Sequence, residues 1–199
     1  MSTAALLLPD SSSLAPSVHC LAGEASVATA VMCGDVAVIL VAEGAGKSSE
    51  DLAQLFEDFA RRGMPLGAMS VLLDEAIAGW GVSGVMATLV EATSDGFKVL
   101  HRGGPTPIVV SAQGTLTRVV AGTPGPPLGL HGVITLHTGE VHEASHADVL
   151  VLTTPSGIDD AVSALAAAAG PTWDDVRYAL TQGPESADPQ EAFALVSFR

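Results

Sequence analysis

Apolar positions along the chain recur with two different periods, and the change from one to the other sets the order of elements. Ser17 to Thr29 mixes apolar and small residues and predicts a first strand. Gly34-Asp35 is a turn signal. Val36 to Ala42 is an unbroken apolar run, as in a strand buried on both faces. After Gly44-Ala45-Gly46 the period lengthens. Leu52, Leu55, Phe56 and Phe59 fall at i, i+3, i+4 and i+7, one stripe of a helix. Ser48 with Asp51 predicts a capping box at its start. Glu50 and Asp51 at that end, with Arg61 and Arg62 at the other, suit the helix dipole, and Gly63 stops the helix. A second helix is expected with Met69, Leu72, Leu73, Ala76, Ile77 and Trp80 as its apolar face.

The period then shortens again. Val85 to Ala92, Phe97 to His101, Ile108 to Ser111 and Leu116 to Val120 read as strands. Asp95-Gly96, Gly103-Gly104 and Gln113-Gly114 between them are hairpin signals. A Pro/Gly-rich loop at Gly122 to Gly129 interrupts, and strands resume at Val133 to Leu136 and Val149 to Leu152. Helices are expected over Ile158 to Ala169 and Trp173 to Leu180, the latter capped by Thr172, with a last strand at Ala192 to Phe198. Residues 1–16, Ser-rich with Pro9 and Pro16, predict a flexible lead, and residues 17–199 one domain. Runs of strands with helices set apart from them point to an α+β fold with antiparallel sheets, and two sheets with helices outside would bury this pattern.

Composition narrows the function classes. The 199 residues suit one domain with a full core. Eight Lys and Arg face 22 Asp and Glu, a formal net charge of −14. Such a surface repels phosphate backbones and anionic lipid, so neither nucleic acid nor a membrane is expected as partner. The run at Val36 to Ala42 ends at Glu43, far short of the ~18 residues of a spanning helix. The apolar start, Met1 to Pro9, has no basic region before it, so no secretory signal is expected. Cys20 and Cys33 form no disulfide framework, and a cytoplasmic setting is expected.

Two motifs imitate known chemistry and lack its context. Glu43-Gly44-Ala45-Gly46-Lys47-Ser48 ends like a P-loop between a strand and a helix, but Val41 stands where the first glycine belongs. A structural Gly-rich turn is expected there. His142-Glu143-Ala144-Ser145-His146 spells HExxH, which binds zinc only on a helix, where both histidines share a face. Asp148 to Leu152 begins a strand two residues later, so an exposed hairpin or loop is expected.

A third feature is an ordered set. Gly23-Glu24, Glu43-Gly44-Ala45-Gly46, Gly84-Val85-Met86-Ala87-Thr88, Gly103-Gly104-Pro105-Thr106-Pro107-Ile108, Gly125-Pro126-Pro127-Leu128-Gly129, the segment Asp148 to Gly157, and Gln190-Glu191 follow one another along the chain. From about Val18 to Arg199 their order and spacing resemble the PPM family of metal-dependent serine/threonine protein phosphatases, in its small SpoIIE/RsbX-like branch. The resemblance implies a four-layer αββα sandwich, and two manganese or magnesium ions between the sheets that activate water against phosphoserine or phosphothreonine. Hard cations need several carboxylate oxygens, and a pair of ions flanks the attacking and leaving oxygens.

The chain departs from the family at each ligand position. Glu24 stands for the Asp of Gly-Asp, Glu43-Gly44 for Asp-Gly, Ser156 or Pro155 for the Asp of Thr-Asp-Gly, and Gln190-Glu191 for Asp-Asp. Glu extends the arm by about 1.5 Å, where catalytic geometry tolerates about 0.5 Å. The candidate metal positions are therefore Glu24, Glu43, Gly44, Ser156 and Glu191, with manganese or magnesium as the ion if the site functions. The expectation is a pseudophosphatase that binds a phosphoprotein or anti-sigma type regulator, as in sigma-factor partner switching. The alternatives are an active phosphatase using Glu for Asp, and a small acidic protein-interaction domain presenting the helix at Asp159 to Ala169 or the loop near Gly122.

Overall fold

A computed structural model of the chain describes residues 3–7, 15–23, 25–113, 115–118, 125–130, 139–157, 159, 161, 162, 165, 172–181 and 192–198. In chain order the strands are β1 (Thr3–Leu7), β2 (Ser17–Ala22), β3 (Ser26–Cys33), β4 (Val36–Glu43), β5 (Met86–Ala92), β6 (Gly96–Arg102), β7 (Ile108–Val110), β8 (Leu116–Arg118), β9 (Glu140–Glu143), β10 (Val149–Thr153) and β11 (Ala192–Ser197). The helices are α1 (Ser49–Arg61), α2 (Leu66–Gly79) and α3 (Trp173–Thr181). Asp159, Ala161, Val162 and Leu165 are also helical. The strand expected at Val133 to Leu136 and the rest of the helix expected over Ile158 to Ala169 lie outside the described residues.

Among the described residues the strands form two antiparallel sheets, one ordered β1-β2-β11-β10-β7-β8 and the other β3-β4-β5-β6-β9. Strand parity shows how they stack. In β4, Ala37, Ile39 and Val41 enter a core with Val18, Cys20, Leu150, Leu152, Ala194 and Val196 of the first sheet. Val38, Leu40 and Ala42 face the other way, onto Leu52 and Phe56 of α1 and Met69, Leu73 and Ile77 of α2. The unbroken apolar run of β4 is thus buried on both faces. The outer face of the first sheet packs Val149, Val151 and Leu195 against helical Leu165 and against Val176 of α3. The layers run helix, sheet, sheet, helix, as expected from the sequence.

Several local expectations change. Ser17 to Thr29 is two strands, because the chain leaves one sheet after Ala22 and enters the other at Ser26. Residues 1–16 are not wholly a lead. Thr3–Leu7 pairs with β2 from Thr3↔Ala22 to Leu7↔Val18, since β2 offers a free edge and Ala4 to Leu7 carry no charge. The capping box at Ser48 does not form. Gly46–Ser48 is a 3-10 turn, and Ser48, with φ −90° and ψ 9°, makes no side-chain cap bond. Thr172 does cap α3: the Asp175 N–H donates to Thr172 Oγ1 at 3.2 Å, and the Thr172 N–H to the Asp175 carboxylate at 3.2 Å. On α2 the buried stripe is Leu66, Met69, Ser70, Leu73 and Ile77, and Trp80 at the C-terminus is exposed. Gly103-Gly104 makes no hairpin, because β6 and β7 belong to different sheets and the segment crosses between them.

The Pro-Pro-Leu-Gly loop is fastened to α2 and β5. The Leu128 N–H donates to Val85 O at 2.7 Å, and the Gly129 N–H to Asp74 Oδ1 at 2.7 Å. Gly129 has φ +75°, and a Cβ there would stand 2.5 Å from Val82 O and 2.7 Å from Ile77 Cγ2. Gly129→Ala therefore combines left-handed strain with a clash against backbone, and should lower stability by about 2 kcal/mol in urea unfolding.

Candidate functional site

The site is built at one end of the interface between the two sheets. Glu43 is the last residue of β4 and shares the parity of Ile39 and Val41, which face the other sheet. Register aligns Glu43 with Met86, Val41 with Thr88, and Thr88 with His101, so these residues occupy one face. From the opposite sheet, Thr154 follows β10 with the parity of Leu150 and Leu152. Its N–H donates to Ala192 O at 3.0 Å, and its Oγ1 accepts the Ala192 N–H at 3.2 Å, so the end of β10 is pinned to the start of β11.

Beyond Thr154 the chain turns through Pro155 and Ser156, closed by the Gly157 N–H on Thr154 O at 3.1 Å. This turn brings Ser156 against Glu43. The Ser156 N–H donates to Glu43 Oε2 at 3.1 Å and the Ser156 hydroxyl donates to the same oxygen at 3.0 Å. Of the two residues left open by the sequence, Ser156 is the one that meets Glu43. Gly44 has φ +96°, with its ideal Cβ position 3.5 Å from Gly84 O, so the turn out of β4 needs a residue without a side chain. Glu24 and Glu191 lie outside the described residues. Their described neighbours Ala22 and Ala192 are paired in register at this end of the first sheet.

These residues can be tested against the two ions that the resemblance implies. A hard divalent cation takes its ligands as oxygen lone pairs, several of them charged. Here Glu43 Oε2 already accepts two hydrogen bonds, and the residue that meets it is a neutral donor. Among the described residues no three His, Cys, Asp or Glu side chains stand together as a cation site. The described residues do not fit a two-ion centre.

The imitation motifs resolve as expected. His142 lies on β9, a strand, with its ring stacked on Phe97 at 5.2 Å, and His146 lies in the turn that follows. Gly46-Lys47-Ser48 is a 3-10 turn between strands that neighbour each other antiparallel, so no parallel βαβ unit surrounds it.

Two polar clusters near the site are absent from the sequence reading. His101 is buried, with Nδ1 3.3 Å from Thr88 Oγ1, and that hydroxyl donates to Pro105 O at 3.3 Å. Burial pushes the His101 pKa down to about 4, Glu140 pulls it back up, and His142 lowers it further. Arg102 is buried with Asp74, Ser70 and the Pro126 carbonyl around it. The available signal was a His-Arg pair closing strand β6 beside Gly103-Gly104.

No protein-family model matches the chain, and no curated protein is similar to it in sequence. Solved structures are similar in fold. RsbX in complex with magnesium superposes with a TM-score of 0.71 at 14% identity, over 99% of this chain and 100% of that one. The RsbU and RsbW domains of a Mycobacterium tuberculosis protein give 0.62 at 16% identity, over 98% of this chain and 58% of that one. The PP2C phosphatase domain of SpoIIE from Bacillus subtilis, with a fragment of its regulatory domain, gives 0.65 at 12% identity, over 98% and 70%. The order of strands, the two facing sheets and the outer helices together give this chain the fold of the PPM-type phosphatases, in its SpoIIE and RsbX-like form.

Proposed function

We propose that this chain is a pseudophosphatase: it recognises a serine- or threonine-phosphorylated regulator of the partner-switching kind and does not hydrolyse it. The observation that carries the reading is the Ser156–Glu43 contact. A position that the resemblance gives to a metal-binding Asp holds a hydroxyl donor, and the remaining carboxylate accepts from it. Attack on a phosphate ester by an ion-activated water needs a cation held by several oxygens, and here the described residues offer one carboxylate in a donor-rich turn. The scaffold around that contact keeps the PPM-type form.

The kind of partner is supported by the similar structures. One carries RsbU and RsbW domains in a single protein, and another belongs to the bacterial stressosome, a modular system adapted to control secondary messenger signalling. Free Cys20 and Cys33, the first buried with its thiol pKa pushed up to about 12 by burial, suit a reducing cytoplasm. The test is calorimetry and turnover on one sample, using a phosphoserine peptide with and without manganese or magnesium. The expected result is saturable peptide binding and no phosphate release. Phosphate release that needs manganese and is lost in Glu43→Gln would instead make this an active phosphatase with glutamate ligands.

A further inference from the structure

We propose that Glu43 and Ser156 form a cation-independent clasp between the ends of the two facing sheets, doing with two hydrogen bonds what a bridging ion would do between two carboxylates. The inference rests on the reading of the site as non-catalytic and says what the altered site does instead. Glu43 ends a strand of one sheet, and Ser156 follows a strand of the other. They are 113 residues apart in the chain, so the contact joins the sheets rather than bracing a local turn. Both donors of Ser156 converge on one oxygen, at 3.1 Å from the amide and 3.0 Å from the hydroxyl. The hydroxyl is held in turn 3.3 Å from Thr154 Oγ1, and Thr154 is anchored to Ala192. The chain of contacts therefore runs from β4 through Ser156 and Thr154 to β11.

The polarity of this arrangement decides its response to cations. Two carboxylates in this position would repel, and a divalent ion would bind by relieving the repulsion. Here Glu43 Oε2 accepts from a hydroxyl and an amide, so the facing residue brings donors where a cation site needs a second charge, and an ion at Oε2 would compete with both. One substitution inverts the logic. Ser156→Asp puts a second negative charge beside Glu43, so the two sheet ends should be held together less well without a cation and better with one.

Thermal unfolding of the full chain in EDTA, and in increasing manganese or magnesium, tests this without any phosphorylated ligand. The wild type should unfold at the same temperature in all of them. Ser156→Ala should lower Tm by about 2–4 °C equally with and without metal, the size expected for a solvent-exposed hydrogen bond lost from a chain of this length. Ser156→Asp should be the least stable in EDTA and should recover as manganese is added. A wild-type Tm that climbs with manganese would overturn the clasp, as would an unchanged Tm in Ser156→Ala or a Ser156→Asp variant indifferent to metal. If Ser156→Asp does not fold, the wild type and Ser156→Ala decide the matter. A manganese shift in the wild type without phosphate release would remove the clasp and leave the non-catalytic reading standing. Phosphate release would remove that reading whatever the Tm.

Discussion

Arg102→Ala is expected to destabilise the chain by about 3–5 kcal/mol, the cost of breaking a buried ion pair by deleting one partner. The guanidinium makes three directed bonds: Nε to Pro126 O at 2.7 Å, Nη1 to Ser70 Oγ at 2.8 Å and Nη2 to Asp74 Oδ1 at 3.1 Å. Its side chain is 6% exposed and that of Asp74 19%. Burial lowers the arginine pKa, and the Asp74 charge and hydrogen bond oppose that shift. Removing Arg102 leaves the half-buried Asp74 carboxylate with the Gly129 N–H as its one donor among the described residues, and takes a partner from buried Ser70. It also uncouples three elements, because β6, α2 and the Pro-Pro-Leu-Gly loop meet at this side chain. Urea unfolding with an unchanged slope would report the loss cleanly. Arg102→Met, which keeps the stem and removes the charge, should lose less than Ala through retained packing. A loss below about 1 kcal/mol for Arg102→Ala would mean that the network is incidental to stability.

The second large effect is a loss of stability in mild acid, traced to His101. The ring is 6% exposed, Nδ1 lies 3.3 Å from Thr88 Oγ1, and Nε2 is buried with no hydrogen-bond partner among the described residues. Protonating the ring would place a charge among core residues, which is why its pKa falls to about 4. The unfolded chain titrates this group near its ordinary value of 6.5. Between the two values the unfolded state binds a proton that the folded state refuses. The stabilisation is therefore complete above about pH 6.5 and is lost as pH falls toward 4, by about 3 kcal/mol in all. Urea midpoints between pH 7.5 and pH 4 should fall more steeply in the wild type than in His101→Asn, which cannot titrate. Equal slopes would assign the acid sensitivity to carboxylates elsewhere.

Much of the layer arrangement was legible in the residues. Period alone separated the doubly buried β4 from the one-faced stripe of α1, because a side chain's direction follows from its position along its own element. Thr172 as the cap of α3 was legible for a similar reason, since its partner Asp175 is three residues away. Where the sequence reading went astray, a neighbour outside the segment decided. Ser17 to Thr29 looks continuous, yet β2 ends at Ala22 in one sheet and β3 begins at Ser26 in the other, and only the two partner strands reveal the break. The Ser48 capping box has the right spelling, but the turn out of β4 tightens into a 3-10 segment and takes Ser48 out of capping geometry.

The candidate site divides in the same way. The positions Glu43, Gly44 and either Ser156 or Pro155 came from the resemblance to the PPM family. That Ser156 rather than Pro155 meets Glu43, and that it meets it as a donor, depends on a turn closed by Thr154 and on two sheets brought face to face. Arg102 and its partners Ser70 and Asp74 lie 32 and 28 residues apart. A sequence determines which faces are apolar and where the chain must turn, since these are properties of neighbouring residues. Which polar groups end up paired in the interior is decided only when the sheets and helices close on one another, because burial makes an unpaired group costly wherever its partner lies in the chain.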